Sequence, residues 1–297
     1  MSEIRYLLGP MRIPFVILTP ACVFLGFGSA VWTKGGVNLF HLLLVLIGAI
    51  SAHISVNALN EYADFKSGLD FKTTRTPFSG GSGTLPRRPE KARVALVTSM
   101  TAFAITGLIG LYFVYAIGFM LLPLGVLGAL VILSYTMWLT RNPLLCLIAP
   151  GLGFGPLMVM GTGFVLSGGY SWTAFLSSLV PFFLVSNLLL LNQFPDVEAD
   201  RRVGRRHVPI VLGKRVSTLI FGVFLLPSYF SIALGVYLKH MPPASLIGLV
   251  SIVVAIPTLV GVFRWADDTR KLLPYMGLNV TVVIATPILV GIGLLIG

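Results

Sequence analysis

Long apolar runs separated by short polar segments dominate this sequence. A helix needs about 20 apolar residues to cross a bilayer, and the hydropathy of the chain predicts nine such spans. Only 10% of the residues are charged, whereas soluble domains carry about 25%. A disordered chain and an ordinary soluble enzyme are therefore excluded. The predicted spans cover residues 13–32, 38–60, 93–115, 119–139, 144–167, 174–195, 216–238, 244–263 and 274–296.

The basic residues predict how the chain is oriented. If the nine spans alternate in direction, all 21 Lys and Arg residues except Lys34 and Lys239 fall on one side of the membrane. Because cytoplasmic loops are rich in Lys and Arg, we expect a cytoplasmic N-terminus and an external C-terminus. The basic charge favours contact with the lipid bilayer and not with nucleic acid, since no soluble basic domain or nucleic-acid-binding motif is present.

These patterns predict an all-α integral membrane protein with a single domain over residues 1–297. Two loops are longer than the rest, near 61–92 and 197–215, and both lie on the predicted cytoplasmic side. We expect them to cap an active site that faces the cytoplasm. The expected location is the inner (cytoplasmic) membrane of a prokaryotic cell.

Polar residues at the end of the second span share one helix face. They follow each other at steps of four, three and four residues, which places them in one row on a helix. The row consists of His53, Asn57, Asn60 and Asp64. Glu61 and Asp70 add two more carboxylates to this segment. Ionisable groups near a membrane are costly and usually functional.

A second acidic row follows the sixth span. Asn192, Asp196 and Asp200 are spaced by four residues and share a helix face, and Pro195 is expected to kink or end the helix there. Six of the ten acidic residues of the chain lie in these two segments. A single cluster of this kind would be interpreted as charged residues of a solvated loop. Two matched clusters on one side of the membrane favour a functional site.

The two acidic segments offer oxygen ligands and no thiolates, which favours Mg²⁺ over Zn²⁺. Mg²⁺ is usually held by a few carboxylates together with substrate phosphates, and Lys and Arg side chains beside the acids suit phosphate oxygens. We therefore expect a site for Mg²⁺ and a diphosphate. The candidate metal ligands are Asn60, Glu61, Asp64, Asp70, Asp196 and Asp200.

At these residues the chain resembles the UbiA superfamily of intramembrane prenyltransferases. The first motif reads Asn60–Glu61–Tyr–Ala–Asp64, with Glu61 where the family usually has Asp, and the second reads Asn192–Gln193–Phe–Pro–Asp196–Val–Glu–Ala–Asp200. The Asn–Gln start of the second motif resembles the menaquinone branch, the 1,4-dihydroxy-2-naphthoate polyprenyltransferases. This resemblance implies nine transmembrane helices around a central cavity.

The resemblance also implies a reaction and a set of site residues. The expected reaction is Mg²⁺-dependent transfer of a polyprenyl group from an allylic polyprenyl diphosphate to an aromatic acceptor, by ionisation to an allylic cation that the ring attacks. Asp64, Asp196, Asp200 and Asn60 would be the catalytic residues. The expected substrate-binding residues are Arg12, His53, Asn57, Lys72, Arg75, Tyr135, Arg141 and Asn192.

Several alternatives stay open at this point. The acceptor could be 1,4-dihydroxy-2-naphthoate, 4-hydroxybenzoate or a glycerol-phosphate lipid precursor. A cation-coupled transporter is a different class of function, but its key sites usually lie near the bilayer midplane, whereas these acids are predicted at a membrane edge. The Gly-rich segment 78–84 could fold over a diphosphate or serve as a flexible linker.

Overall fold

A computed structural model describes residues 8–297, and within that range the chain is helical without any strand. Arg5, one of the basic residues counted for the orientation, lies outside the described range. Eight helices are long and apolar enough to cross a membrane, and a ninth apolar helix is shorter. In chain order they are α1 (Ile13–Lys34), α2 (Leu39–Lys66), α3 (Pro89–Ala116), α4 (Phe119–Ser134), α5 (Pro143–Ser167), α6 (Trp172–Asn192), α7 (Gly213–Tyr237), α8 (Pro243–Trp265) and α9 (Thr269–Ile296).

Each predicted span overlaps one of these helices, so the prediction of an all-α integral membrane protein is confirmed. The helix starts carry ordinary local signals. Asn38 caps α2 by accepting hydrogen bonds from the N–H groups of Phe40 and His41, and Asn142 caps α5 in the same way. Such side chains satisfy N–H groups that have no partner within the helix.

Helix α4 is shorter than the predicted span 119–139. It ends at Ser134, and a 3-10 turn over Leu139–Arg141 follows. At 1.5 Å per residue α4 is about 24 Å long, less than the roughly 30 Å hydrocarbon core of a bilayer. None of the residues between Leu122 and Ser134 is buried, so α4 packs loosely against its neighbours.

The hydrophobic core and a large cavity adjoin each other, since Leu18, Leu188 and Val283 belong to the core cluster and also line the cavity. Val180 and Leu184 of α6 are fully buried in a cluster with residues of α1, α7 and α9. On the other side, α6 packs against α5 so closely that a Cβ on Gly151 would overlap the carbonyl oxygen of Phe182. Helices α2, α3, α4 and α5 provide most of the cavity wall, and residues of α1, α6 and α9 complete it.

Helix α5 widens where it borders the cavity. Residues Gly153–Met160 form a π-helix, and Pro156 within it lacks the N–H that an α-helix would need. Such local widening is often found at functional sites. Gly153 and Phe154 from this stretch contribute to the cavity wall.

Short helices lie at one end of the bundle, in the segments that follow α2 and α6. Leu69–Phe71 and Thr84–Arg87 follow α2, whereas Val197–Arg202 and Val208–Val211 follow α6. The two connecting segments meet each other, because residues from both form the polar end of the cavity.

Candidate active site

The cavity has a volume of about 650 Å³, within the range of about 300–1,000 Å³ that is usual for small-molecule sites. Its wall is apolar along most of its length. The carboxylates of both predicted segments lie together at one end, where Asp64 and Asp70 meet Asp196 and Asp200. The structure therefore brings the ends of α2 and α6 to a shared site.

Arg205 joins the two acidic segments. Its guanidinium donates hydrogen bonds to the carboxylate of Asp64, which lies 141 residues earlier in the chain, and to Oδ1 of Asp200 at 3.0 Å. The side chain reaches this position because the chain reverses at Gly204, where φ is +80°, a value that favours glycine. The N–H of Arg205 also donates to the carbonyl oxygen of Asp200.

Asp196 is held by the loop that follows α2. The hydroxyl of Thr73 donates to its carboxylate, and the hydroxyl of Ser79 and the N–H of Gly80 provide further hydrogen bonds. Gly80 and Gly81 both have positive φ angles, so the backbone can turn tightly beside the acids. Of the two alternatives for the Gly-rich segment, the structure thus shows a loop folded over the polar end of the cavity.

Glu61 is paired within the protein and is not part of the cavity wall. It is fully buried, and its Oε2 lies 3.1 Å from Nη2 of Arg12. The same carboxylate accepts hydrogen bonds from the N–H and the hydroxyl of Ser82. The pair therefore fastens the segment before α1 and the Gly-rich loop to the end of α2.

The electrostatics of the polar end favour a bound cation. Burial, together with the nearby charges of Glu61 and Asp64, raises the pKa of Asp70 to about 7. Burial also raises the pKa of Asp200 to about 7, against the opposing effect of Arg205, and it raises the pKa of Asp196. Raised values for three carboxylates mean that the protein supplies too little positive charge to stabilise all of them in the ionised form.

The donor set suits Mg²⁺. Among residues 8–297 no three His, Cys, Asp or Glu side chains lie close enough together to hold one metal ion, and Arg205 contacts both Asp64 and Asp200. Mg²⁺ often takes only one or two carboxylates and completes its shell with water and substrate phosphates. Two buried oxygens at this end, Asp70 Oδ2 and Asn192 Oδ1, have no hydrogen-bond partner.

Most of the predicted site residues line the cavity. Those in its wall are Arg12, His53, Asn57, Asn60, Asp64, Asp70, Tyr135, Asn192, Asp196 and Asp200. Lys72, Arg75 and Arg141 are exposed and lie outside the wall, as does the buried Glu61. Arg75 lies near the acids through its Nη2 atom, 3.5 Å from the carbonyl oxygen of Asp70.

Three residues of the polar end were not among the predicted site residues. Arg205 and Thr73 contact the acids directly, and His207 is buried with its Nδ1 3.3 Å from Oδ2 of Asp200. Burial and the charge of Arg205 lower the pKa of His207 to about 3, so the ring is neutral. A sequence signal that could have identified Arg205 is Gly204, four residues after Asp200, because glycine allows the chain to turn back toward the acids.

A profile of the UbiA prenyltransferase family matches residues 20–281. The chain belongs to this family. The resemblance predicted from the two acidic motifs is confirmed, and membership places the chain among the prenyltransferases of the membrane.

Two relatives point to the same branch of the family. The 1,4-dihydroxy-2-naphthoate octaprenyltransferase of Bacillus subtilis is 27% identical over 195 residues, which cover 63% of this chain and 60% of that protein. The matched region thus spans less than two thirds of this relative. The 1,4-dihydroxy-2-naphthoate octaprenyltransferase of Mycobacterium tuberculosis is 25% identical over 90% of this chain and 88% of its own length.

Solved structures share the fold. A UbiA homologue from Aeropyrum pernix superposes with a TM-score of 0.72 and 18% identity, over 96% of this chain and 98% of that one. A UbiA homologue from Archaeoglobus fulgidus, bound to GPP and Mg²⁺, superposes with a TM-score of 0.65 and 14% identity, over 98% and 100% of the two chains.

Proposed function

We propose that this protein transfers a polyprenyl group from an allylic diphosphate to an aromatic acceptor, with 1,4-dihydroxy-2-naphthoate as the leading candidate. One observation carries the proposal: carboxylates from the ends of α2 and α6 meet at the polar end of one long apolar cavity. A polyprenyl diphosphate has the same distribution of polarity. The names of the two relatives support the choice of acceptor.

Mg²⁺ suits the oxygens at this end, and the proposed ligands are Asn60, Asp64, Asp70, Asn192, Asp196 and Asp200. When bound, the metal would neutralise the diphosphate and favour its departure. The geometry leaves Glu61 to hold Arg12 and the Gly-rich loop, so we assign it a supporting role.

Arg205 has two proposed tasks. Without substrate it supplies the positive charge that Asp64 and Asp200 need. With substrate, its planar guanidinium is suited to bind phosphate oxygens through parallel hydrogen bonds. The backbone N–H groups of the Gly-rich loop lie beside the same space and add further donors. The exposed Lys72, Arg75 and Arg141 keep their predicted role as additional phosphate ligands, which requires their side chains to turn inward.

The cavity wall next to the acids is where the acceptor ring fits. Tyr135 lines the cavity near Asp64 and Arg205. His53 lines it farther along α2, about 16 Å from Asp64 along the helix axis. The His53 ring meets the ring of Phe154 edge to face, with centroids 4.8 Å apart, and its Nδ1 hydrogen-bonds with the hydroxyl of Thr19 at 2.8 Å. These contacts fix the ring in the wall. The apolar surroundings keep water away from a reactive carbocation.

The placement in the membrane belongs to the same proposal. Nine crossings, with the N-terminus in the cytoplasm, put the carboxylates at the cytoplasmic edge of the inner membrane. The loops near 61–92 and 197–215 then cap the active site of a single domain. Both loops contribute hydrogen bonds at the polar end, through Thr73 and Arg205.

Product analysis by mass spectrometry tests the function. The purified protein in lipid nanodiscs is supplied with Mg²⁺, a prenyl diphosphate and one acceptor: 1,4-dihydroxy-2-naphthoate, 4-hydroxybenzoate or a glycerol-phosphate lipid precursor. We expect a prenylated naphthoate product that disappears when EDTA replaces Mg²⁺. Product with another acceptor only would overturn the acceptor assignment. No product with any pair would overturn the proposed function, and Mg²⁺-independent ion flux in liposomes would favour a transporter.

A further inference from the structure

The cavity extends far beyond the carboxylates. Along α2 its wall runs from Asp64 to Val45. At Gly48 the helix meets α3, because a Cβ on Gly48 would lie 3.2 Å from Cγ2 of Ile109. Sixteen residues separate Gly48 from Asp64, which corresponds to about 24 Å along the helix axis. The stretch of α3 around Ile109 therefore lies beside Gly48, far along the cavity from the carboxylates.

Four glycines of α3 and α4 in the cavity wall have open space where a side chain would be. A Cβ built on Gly107 or Gly110 of α3, or on Gly125 of α4, would have no atom within 4 Å, and one on Gly128 would touch only Leu157, at 3.9 Å. All four glycines line the cavity. We call them the glycine wall.

The glycine wall differs from the glycines at helix contacts. In membrane proteins, glycine usually allows two helices to approach closely, as Gly151 does between α5 and α6. The glycines of the wall leave open volume instead, and α4 buries none of its residues between Leu122 and Ser134. Gly107 and Gly125 are exposed, so the missing side chains leave an opening in the cavity wall between α3 and α4 and do not tighten a helix contact.

The two ends of the cavity call for an amphipathic ligand. At the polar end, Asp70 is only 4% exposed and its Oδ2 has no hydrogen-bond partner, so a polar or cationic group is needed there. In the apolar part of the cavity the glycine wall offers space of low steric demand. A ligand that satisfies both ends has a charged head and a long, thin hydrocarbon tail.

We propose that the glycine wall sets the longest prenyl donor that the enzyme accepts, by admitting the distal isoprene units between α3 and α4. This inference rests on the proposed function and adds substrate specificity to it. A short donor would leave the wall empty, because its tail ends before this depth. A long donor needs the volume that the four glycines leave free.

Leucine substitutions in the wall test this inference. The variants Gly107→Leu, Gly125→Leu and the pair combined are compared with wild type in reactions with geranyl diphosphate (two isoprene units) and octaprenyl diphosphate (eight units). We expect turnover of the short donor to stay within about twofold of wild type. Turnover of the long donor should fall at least tenfold, and Gly107→Ala should give an intermediate ratio of long to short product.

Ala104→Leu is the matched control. Ala104 lies on the same helix, is exposed, and is outside the cavity wall, so the added side chain should leave the product ratio unchanged. Melting temperatures establish that all variants fold, and leucine favours a helix more than glycine does.

The outcomes separate this inference from the proposed function. If wild type uses both donors and the variants keep its product ratio, the glycine wall has no role in chain length, whereas the proposed function stands. Equal losses with both donors would also overturn the inference, because they would indicate general damage to the site. If wild type transfers no prenyl group at all, the proposed function fails and this inference fails with it.

Discussion

At the scale of single residues, Arg205 is the side chain on which the candidate site depends most. It is 15% exposed and contacts the carboxylates of Asp64 and Asp200, which are themselves 8% and 3% exposed. Removing one partner from a buried ionic group leaves uncompensated charge, which is costly. This guanidinium therefore stabilises the metal-free protein by supplying positive charge at a place where a cationic ligand could also supply it.

Arg205→Gln should destabilise the metal-free protein by about 3 kcal/mol, because Asp64 and Asp200 would face each other without a cation. Mg²⁺ should then stabilise the variant more than it stabilises wild type, since it would replace the missing positive charge. Thermal unfolding in detergent, with EDTA and with Mg²⁺, measures both effects. Arg206→Gln is the control, because Arg206 is the next residue and is exposed. Equal metal-free stability of the two variants would contradict the bridging role.

Asp64→Asn and Asp196→Asn should each reduce prenyl transfer about a thousandfold, which corresponds to about 4 kcal/mol of transition-state stabilisation. An amide is a weaker ligand than a carboxylate for a hard cation. A ligand present at a hundredfold excess over its Kd stabilises the folded protein by about 2.7 kcal/mol. Mg²⁺ and a prenyl diphosphate should therefore raise the melting temperature of wild type. Both variants should lose this increase.

Asp267→Asn serves as the control for these two substitutions. Its carboxylate is 68% exposed, 3.8 Å from Arg215, and it lies outside the cavity wall. We expect wild-type turnover and wild-type stabilisation by ligand. Wild-type turnover in Asp64→Asn and Asp196→Asn would show that neither carboxylate takes part in the reaction.

The sequence revealed the carboxylates but not their partners. The row from His53 to Asp64 could be read from helical spacing alone, since residues three or four apart share a face. Arg205 contacts a residue 141 positions away, and the pairing of Arg12 with Glu61 spans 49 positions. Contacts of this kind depend on how loops fold over the ends of the helices, which local periodicity does not encode.

At the scale of structural elements, the Gly-rich loop connects the two acidic segments. Gly81 has a φ of +69°, and a Cβ at this position would lie 2.9 Å from Oδ1 of Asp70. Both facts disfavour any side chain there: L residues other than glycine rarely adopt this φ, and Asp70 is buried. The loop therefore needs glycine at this position to lie directly over the acids.

Gly81→Ala should displace the loop and lower turnover at least tenfold while changing the melting temperature little, because the loop lies outside the hydrophobic core. Steady-state kinetics and thermal unfolding measure the two effects. Gly36→Ala is the matched control, since Gly36 lies in the loop between α1 and α2 and a Cβ there meets no atom within 4 Å. Turnover of Gly81→Ala equal to that of Gly36→Ala would argue against a role for the loop in substrate binding.

The helices themselves were largely predictable, because about 20 consecutive apolar residues have few alternatives to a membrane helix. The exception is α4. Hydropathy extended the span to residue 139, since Tyr135, Met137 and Trp138 are compatible with a membrane. In the structure the helix ends at Ser134 and the following residues turn, with the N–H of Thr140 bonded to the carbonyl oxygen of Tyr135 at 3.1 Å. Hydropathy does not register such a change of backbone direction.

At the scale of the whole molecule, the buried core and the cavity draw mainly on different helices. The buried cluster consists mainly of residues of α1, α6, α7 and α9, and α2 to α5 provide most of the cavity wall, to which α1, α6 and α9 also contribute. The loosely packed α4 stands at the open side of this arrangement. Whether α4 crosses the membrane decides on which side the rest of the chain lies, so its length has consequences for the entire topology.

Cysteine labelling tests whether α4 crosses the membrane, because the number of crossings between two positions determines whether they lie on the same side. Gly36 follows α1 and Leu238 follows α7, so six helices lie between them. If all six cross, including α4, both positions are on the same side; if α4 does not cross, they are on opposite sides. Arg215, at the start of α7 and 91% exposed in its side chain, marks the other end of that helix in either case.

In a background where the buried Cys22 and Cys146 are replaced by alanine, Gly36→Cys, Leu238→Cys and Arg215→Cys are each treated in intact cells with a membrane-impermeant maleimide. We expect labelling of positions 36 and 238 but not of 215, because Lys34 and Lys239 are the basic residues predicted to lie outside. Labelling of 36 together with 215 would mean that α4, about 24 Å long, does not cross. The bilayer would then have to be spanned eight times, and the carboxylates after α2 and α6 would lie at opposite faces, contrary to the shared cavity. The contact between Arg205 and Asp64 thus favours nine crossings, and the labelling experiment tests this number.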